Sequence, residues 1–457
     1  MANHLREVIQ GGMSKSFRDW HFDQDLLLPP SVRDFVPEGH LARFVVGLVR
    51  DELELSAIYA GYAGEKGQPP YHPAMMTAVL LYGYAVGVYS SRRLARACAE
   101  RVDFMAIVAL DAPDFRTISD FRKRHLKGLE GLFVQVLKLC ERAGLVKLGH
   151  VALDGTKIRA NASKHKAMSY ARMAEREKEL RAEVEGWLKA AEATDAEEDR
   201  LYGADKRGDE LPAWVADKAK RLAKIKEAKA ALQAEAKAMA EEKARAEAAA
   251  EEQRQAAGRK KPGKPGKPPS AEPAAKAQRN FTDPESRVLL TKDGFIQGYN
   301  AQAAVDAEAQ VIVAQGLIAS QSDQDQLTAL LDGVEANLGR KPRQASADAG
   351  FCSEANLAAL GERGIAGYVA VARAKHPDKA KRKILGPLMQ AMQKKLKHAG
   401  RRSRYRLRKQ IVEPVFGQIK QARGFRQFLL RGIDKVRAEW AMICTAHNLL
   451  KLANSAR

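Results

Sequence analysis

Residues 148–160 read LGHVALDGTKIRA. Val151, Leu153 and Ile158 place apolar side chains around a single acid, Asp154, and Gly155 follows it. Short apolar runs bounded by glycine form buried strands. The segment predicts a strand whose end carries the aspartate. A second such place lies far downstream, where Gln344–Ala347 predicts a short strand ending at Asp348-Ala349-Gly350. Open α/β sheets put their sites at strand ends beside a crevice. A glycine there lets the loop turn and a ligand approach the backbone. Two carboxylates brought together repel unless a cation neutralises them. Mg2+ suits the place, because it is hard and binds through a few carboxylates plus phosphate and water oxygens.

A third acid fits on a helix crossing that sheet. Glu413 stands among apolar neighbours in Ile411-Val412-Glu413-Pro414-Val415-Phe416-Gly417-Gln418-Ile419-Lys420, just after the basic run Arg401–Lys409. Lys420 follows two helical turns later and shares its face. Pro414 should break or kink the helix, which puts Glu413 at a helix start. Two metal ions about 4 Å apart would activate the attacking oxygen and stabilise the leaving one. Taken singly, each acid is more often a turn-former, a helix cap or a salt-bridge partner than a ligand. His150 and His165 flank the first strand at no spacing that suits zinc.

The chain changes character on either side of this frame. Residues 165–280 are rich in Ala, Glu, Lys and Arg. Leu222, Ile225, Leu232 and Met239 lie near heptad positions, interrupted by Lys229 and Ala236, which predicts solvated helices or a weak coiled coil. Lys260–Pro269 is a basic Pro/Gly/Lys linker. The whole region reads as an insertion. After it, Phe295–Val305 and Gln310–Ile318 predict a strand pair turning at Asp306-Ala307-Glu308, which extends the sheet of Asp154. Asp323–Leu338 and Glu354–Arg363 predict helices, Gly367–Ala372 a strand, and the remainder is helical and basic. Upstream, Leu41–Leu55 and Met75–Val88 carry helical spacing, with Pro73 suited to a first turn. Thr117–Asp120 resembles a capping box before one long amphipathic helix through Phe121, Phe133 and Cys140, with Gly144 as C-cap. The expected fold class is α/β. A helical domain spans 1–145, a catalytic domain 146–164 and 281–457, and a helical insertion 165–280.

There are 77 Lys+Arg against 56 Asp+Glu, a formal net charge of +21. So large a surplus favours an anionic polymer, because each neutralised phosphate releases counterions. Cys98, Cys140, Cys352 and Cys444 form no closely spaced pair for zinc or redox work, so reduced thiols are expected. The N-terminus has no apolar core of signal length, and Met75–Val88 is too short to span a bilayer. The expected location is cytoplasmic, at the nucleoid, with no membrane partner.

Further segments join the three acids in order. Gly67-Gln68-Pro69-Pro70-Tyr71-His72-Pro73, Ser90-Ser91-Arg92-Arg93 and Pro113–Arg122 come first. Leu153-Asp154-Gly155-Thr156-Lys157, Gly298-Tyr299-Asn300-Ala301-Gln302 and Ala347-Asp348-Ala349-Gly350-Phe351 follow. Val412–Gly417, Arg423-Gly424-Phe425-Arg426-Gln427-Phe428, Arg431-Gly432 and His447-Asn448-Leu449 close the series. The chain resembles the DDE transposases of bacterial insertion sequences, in the branch with a long insertion between the first and second aspartates. The resemblance covers nearly the whole chain apart from the insertion and the extreme ends.

The resemblance implies a ribonuclease-H-like catalytic domain, with Asp154, Asp348 and Glu413 as catalytic residues and metal ligands. It implies two Mg2+ ions, with Mn2+ able to substitute. It implies cleavage and strand transfer at terminal inverted repeats, with double-stranded DNA as partner and a homodimer in the synaptic complex. Related enzymes carry a Tyr, Arg, Glu, Lys signature. Glu413 and Lys420 keep its final spacing, while Lys409 stands at the Arg position and Tyr405 and Arg408 are each displaced by one. Lys157, Arg159, Arg408, Lys420, Arg423, Arg426 and Arg431 are the candidate DNA-binding residues, the last three interleaved with Phe425 and Phe428 as a DNA-tracking surface. Tyr299, Asn300 and Gln302 alternate along a strand and read either as DNA contacts or as a polar face. Trp440 reads as packing for the last helix. The rival readings are a ribonuclease-H-like nuclease without strand transfer and an inactive transposase-derived DNA-binding protein.

Overall fold

Val151–Arg159 forms β1, paired along its whole length with the antiparallel strand β5, Gly294–Asp306. The computed structural model describes residues 31–62, 69–202, 213–256, 258, 270–371, 386–399 and 404–456. The linker Lys260–Pro269 lies outside the described residues, as do the extreme N-terminus and Ala372. On its other edge β1 pairs with the parallel strand β7, Gln344–Ala347, which pairs in turn with β8, Ala366–Val369. The far edge of β5 carries β4, Arg287–Thr291, and then β6, Ile312–Ile318. The result is a mixed six-stranded sheet. The expected hairpin is present; β4 was not foreseen, because Arg287–Thr291 lacks the apolar alternation of a core strand. From Gln297 onward both faces of β5 are buried, and its sequence runs through small residues, Ala301, Ala303 and Ala304, against which helices pack closely.

Asp154 is in the middle of β1 and not at its end, since β5 continues the ladder to Arg159. The parallel partner is what stops there: β7 covers only Val151–Leu153.

The N-terminal third is helical: α1 Leu41–Gly47, α2 Pro73–Ala85, α3 Ser91–Glu100, α4 Val102–Val108, α5 Phe115–Arg124 and α6 Leu126–Arg142. Leu41–Leu55 is not one helix, because a π turn over Leu48–Glu52 ends it. Pro73 opens α2, and α2 is buried on every face from Met76 to Ala85, as befits the central helix of a bundle. The single helix expected from Thr117 is two. Asp114 caps α5 by accepting from the amides of Arg116 and Thr117 at 2.7 and 3.2 Å. The break falls at His125, which packs against Phe121 and Tyr62 and leaves helical geometry. Gly144 is left-handed after α6, and Leu145 N–H closes on Cys140 O at 3.0 Å.

Between β2, Ala167–Ser169, and β3, Gln278–Asn280, stand two long helices, α7 Tyr170–Tyr202 and α8 Ala213–Ala256. Contacts such as Lys229–Glu177 and Gln233–Tyr170 set them antiparallel. Ile225 and Leu232 turn inward onto Met173 and Leu180, whereas Met239 is exposed, so the heptad seam fades along α8. The rest comprises α9 Gln326–Leu338, α10 Glu354–Glu362, α11 Pro387–Ala399, α12 Arg408–Gly417 and α13 Ile433–Ser455. Helix α13 packs on β6, α6 and α2, and Trp440 sits fully buried with its indole N–H on Gln302 O at 3.0 Å. None of the four cysteines forms a disulfide. No helix among the described residues is long and apolar enough to cross a membrane.

Candidate active site

Leu153 pairs with Ala347 in the parallel β1–β7 ladder, so Asp154 and Asp348 are the next positions on adjacent strands. Asp154 Oδ1 accepts from Gly155 N–H at 2.9 Å. Asp348 leaves β7 and caps a 3-10 turn, its Oδ1 accepting from Gly350 N–H at 2.8 Å. The third acid arrives on α12, which crosses β1 and β5. Glu413 sits in mid-helix, so the expected helix start at Pro414 does not occur. A proline there strips the Gln410 carbonyl of its helical donor. Gln310, left-handed in the β5–β6 turn, supplies the replacement, its Nε2–H donating to Gln410 O at 2.9 Å.

Arg408 joins the set. Its Nη1 donates to Asp154 Oδ2 at 2.5 Å and its Nη2 to Glu413 Oε1 at 3.2 Å, and the charge of Asp348 also acts on it. The displaced spacing therefore does not keep Arg408 from the site. A 3-10 turn, Arg404–Leu407, runs into α12 and puts the Tyr405 ring 5.9 Å from the Arg408 guanidinium. Burial pushes the Asp154 carboxyl up to about 6; Arg408 opposes this, and Asp348 adds to it. A carboxylate so desolvated favours a neighbouring cation. Among the described residues no three Asp, Glu, His or Cys side chains are grouped closely enough to hold an ion as they stand. The donor chemistry nevertheless suits Mg2+, because Asp154 and Glu413 offer only oxygen donors and already share one cation, the Arg408 guanidinium, on which the charge of Asp348 also acts.

The basic candidates divide. Helix α12 continues into a π turn, Gln418–Ala422, from which Lys420 Nζ donates to Lys157 O at 2.7 Å. Burial, with Arg426 and Lys157 nearby, lowers the Lys420 ammonium below its usual range. Lys157 Nζ reaches Leu290 O, and Arg159 is exposed. Arg426 and Arg431 are exposed, on Gln421 and on Asn161 O respectively. Arg423 is a correction. It is 7% exposed, its guanidinium committed to Gln418 O and to His447 Nδ1 at 3.0 Å. Phe425 and Phe428 are buried too, against Tyr84 and Tyr89 and against Tyr299. The segment alternates inward and outward beside Arg159, whose carbonyl accepts from Phe428 N–H, so only half of it faces solvent. Burial and Arg423 push His447 down to about 3, which keeps it neutral.

Tyr299, Asn300 and Gln302 are likewise buried and do not face solvent. Tyr299 Oη donates to Asp283, and both amides donate to Asp323. Asp283, Gln310, Asp323 and Glu439 were not singled out from the sequence. The glycines close behind Asp154 and Asp348, Gly155 and Gly350, were the one local signal of a close neighbour.

Residues 30–124 match the family model Transposase domain (DUF772), and residues 287–449 match Transposase DDE domain. Together the two matches cover more than half of the chain. No curated protein and no solved structure matches it.

Proposed function

Because the chain belongs to the DDE transposases of insertion sequences, we propose that it cuts and rejoins DNA at the terminal inverted repeats of its own element, with Asp154, Asp348 and Glu413 as the catalytic set. The observation that carries this reading is the meeting of two carboxylates, Asp154 of β1 and Glu413 of α12, on Arg408, with Asp348 at the end of the adjacent β7 acting on the same guanidinium through its charge. The strand order, with three antiparallel strands and then two parallel to β1, suits a ribonuclease-H-like catalytic domain. The hairpin within 165–280 has a core of its own and reads as a separate domain, whereas the helices before residue 146 share the core of the sheet and are the part that binds the repeats.

Asp154, Asp348 and Glu413 would hold Mg2+, as two ions with Mn2+ able to substitute. Bound there, the metal supplies Lewis-acid polarisation of the scissile phosphate and a more acidic attacking oxygen. The chain's own residues do the rest. Asp154 is desolvated and answers strongly to any added positive charge. Release of Asp154 and Glu413 frees Arg408, beside the reacting centre, for a DNA phosphate, which its planar fork suits. Lys420, held on β1 by the π turn, and Lys157, Arg159, Arg426 and Arg431 lie on or beside the C-terminal half of β1 and serve the phosphate backbone. The partner is double-stranded DNA, bound as repeats and as target, by a homodimer that pairs the two ends.

The test is cleavage of a plasmid bearing the element's two ends, with and without Mg2+. The wild-type protein should cut at the ends and join them to target DNA only with metal. Asp154→Asn, Asp348→Asn and Glu413→Gln should each lose cutting while retaining end binding. Full cutting by all three variants removes the assignment. Cutting without joining moves the reading to a nuclease.

A further inference from the structure

A buried amide must find a partner. Asn300 and Gln302 lie two residues apart on β5, on one face, and are almost wholly buried. Both donate to the same atom, Oδ1 of Asp323, at 2.6 Å each. Asp323 stands in the turn before α9 and, among the described residues, has no ion pair. In the β1–β5 ladder Gln302 is opposite Gly155, the residue after the first catalytic acid. A Cβ at Gly155 would lie 2.8 Å from Asp323 Oδ1 and 2.5 Å from Gln302 Nε2. A Cβ at Gly350 would lie 3.2 Å from Asp323 Oδ2 and 3.0 Å from Asp348 Oδ1. One carboxylate thus occupies the space that a side chain would need at both Gly155 and Gly350, the glycines that follow the two aspartates.

We propose that Asp323 is a positioning residue of the triad, fixing the Gly155 and Gly350 backbones that aim Asp154 and Asp348; the inference rests on the transposase reading above. Each of those glycines gives its N–H to the aspartate it serves. A shift in either backbone therefore rotates a carboxylate. Gln302 Oε1 is buried with no partner, so the orientation of that amide depends on its bond to Asp323. Asp323 lies against the odd-numbered face of β1, which carries Gly155, whereas Asp154 bonds Arg408 of α12 from the other face. It acts through the backbone and needs no contact with substrate.

The test uses the full-length protein and Mn2+ as the probe, titrated by calorimetry and followed in parallel by end cleavage, end-DNA binding and thermal unfolding. Losing an outer partner of a ligand costs about 10–100-fold in metal affinity or activity. Asp323→Ala should weaken Mn2+ binding and cleavage by about that factor, with end-DNA binding unchanged. Asp323→Asn keeps an oxygen for both amides and should restore Mn2+ affinity. Asp323→Glu keeps the charge but drives the longer side chain into Gly155 and Gly350, and should behave like the alanine variant. If Asp323→Ala fails to fold, the Asn and Glu variants decide. Wild-type Mn2+ affinity in Asp323→Ala, or loss in Asn with retention in Glu, overturns the inference. Asp154→Asn is the companion control. If it loses Mn2+ while the Asp323 variants keep it, only the positioning role fails. If Asp154→Asn keeps wild-type affinity, the triad reading itself fails, and this inference with it.

Discussion

One hydrophobic core runs from the N-terminal bundle through the sheet to α13, whereas the α7–α8 hairpin keeps a small core of its own, Met173, Leu180, Ile225, Ala228 and Leu232. The first region is held by contacts between residues far apart in sequence. The second is held mostly by neighbours along two helices and a short cross-helix seam. Asp154, Asp348, Glu413 and Arg408 all sit in the first. Damage to the first region should therefore spread, and damage to the second should stay local.

The largest effect is expected from Glu439→Ala. Glu439 is buried in α13, and its carboxylate accepts from Leu429 and Leu430 N–H at 2.9–3.0 Å. The opposing charge acting on it is that of Arg122 on α5, itself buried on Tyr84, Tyr89 and Ser91. Its removal strands two amides and a buried cation, a loss of about 3–5 kcal/mol. Calorimetry should show bundle and sheet unfolding together at lower temperature. Two separated transitions would break the comparison.

Asp154→Asn works the other way. The folded-state pKa of Asp154 is raised from 3.8 to about 6, so the folded protein holds a proton that the unfolded chain has already released. That contribution is present below the unfolded pKa and is lost as pH rises through about 6. At neutral pH the charged form is thus a cost of about 2–3 kcal/mol in metal-free protein. The asparagine variant should unfold at higher temperature at pH 7. Its advantage should vanish toward pH 4 and shrink when Mg2+ is added to both proteins. An unchanged or lower midpoint at pH 7 would contradict the electrostatics described here.

The smallest effect on the sheet is expected from Leu232→Ala. A buried Leu→Ala change costs about 2–5 kcal/mol, with the lower end appropriate to so small a core. Amide exchange should accelerate in α7 and α8 and stay unchanged in β1, β5 and β7. Faster exchange in the sheet would show that the two regions share stability after all.

The sequence made the acids visible because their surroundings are local. Asp154, Asp348 and Glu413 each stand out against apolar or basic neighbours within a few residues. Their partners did not stand out. Asp323 meets Gln302, and Arg408 meets Asp154, only after the sheet has closed. The alternation of Arg423 to Phe428 looked like a surface because its partners are distant in sequence, Tyr89 in the loop between α2 and α3 and His447 on α13. The strand of Asp154 looked shorter than it is because polar residues follow the acid. Thr156 and Lys157 nevertheless continue the ladder, opposite Ala301 and Asn300. Pro414 read as a helix breaker because nothing nearby in sequence announces Gln310.

The β2–β3 pairing bears on the order of events during synthesis. Strand β1 leaves the ribosome long before β5, β7 and α12 exist, and a chain in that state exposes an unpaired apolar edge. The hairpin comes next, and its two feet meet, with Tyr170 N–H on Ala277 O at 2.7 Å. Once that clasp forms, over a hundred residues drop out of the loop that β1 must close to reach its partners, and closure entropy falls with loop length. The appendage that holds none of the three acids thus shortens the wait of the strand that carries Asp154.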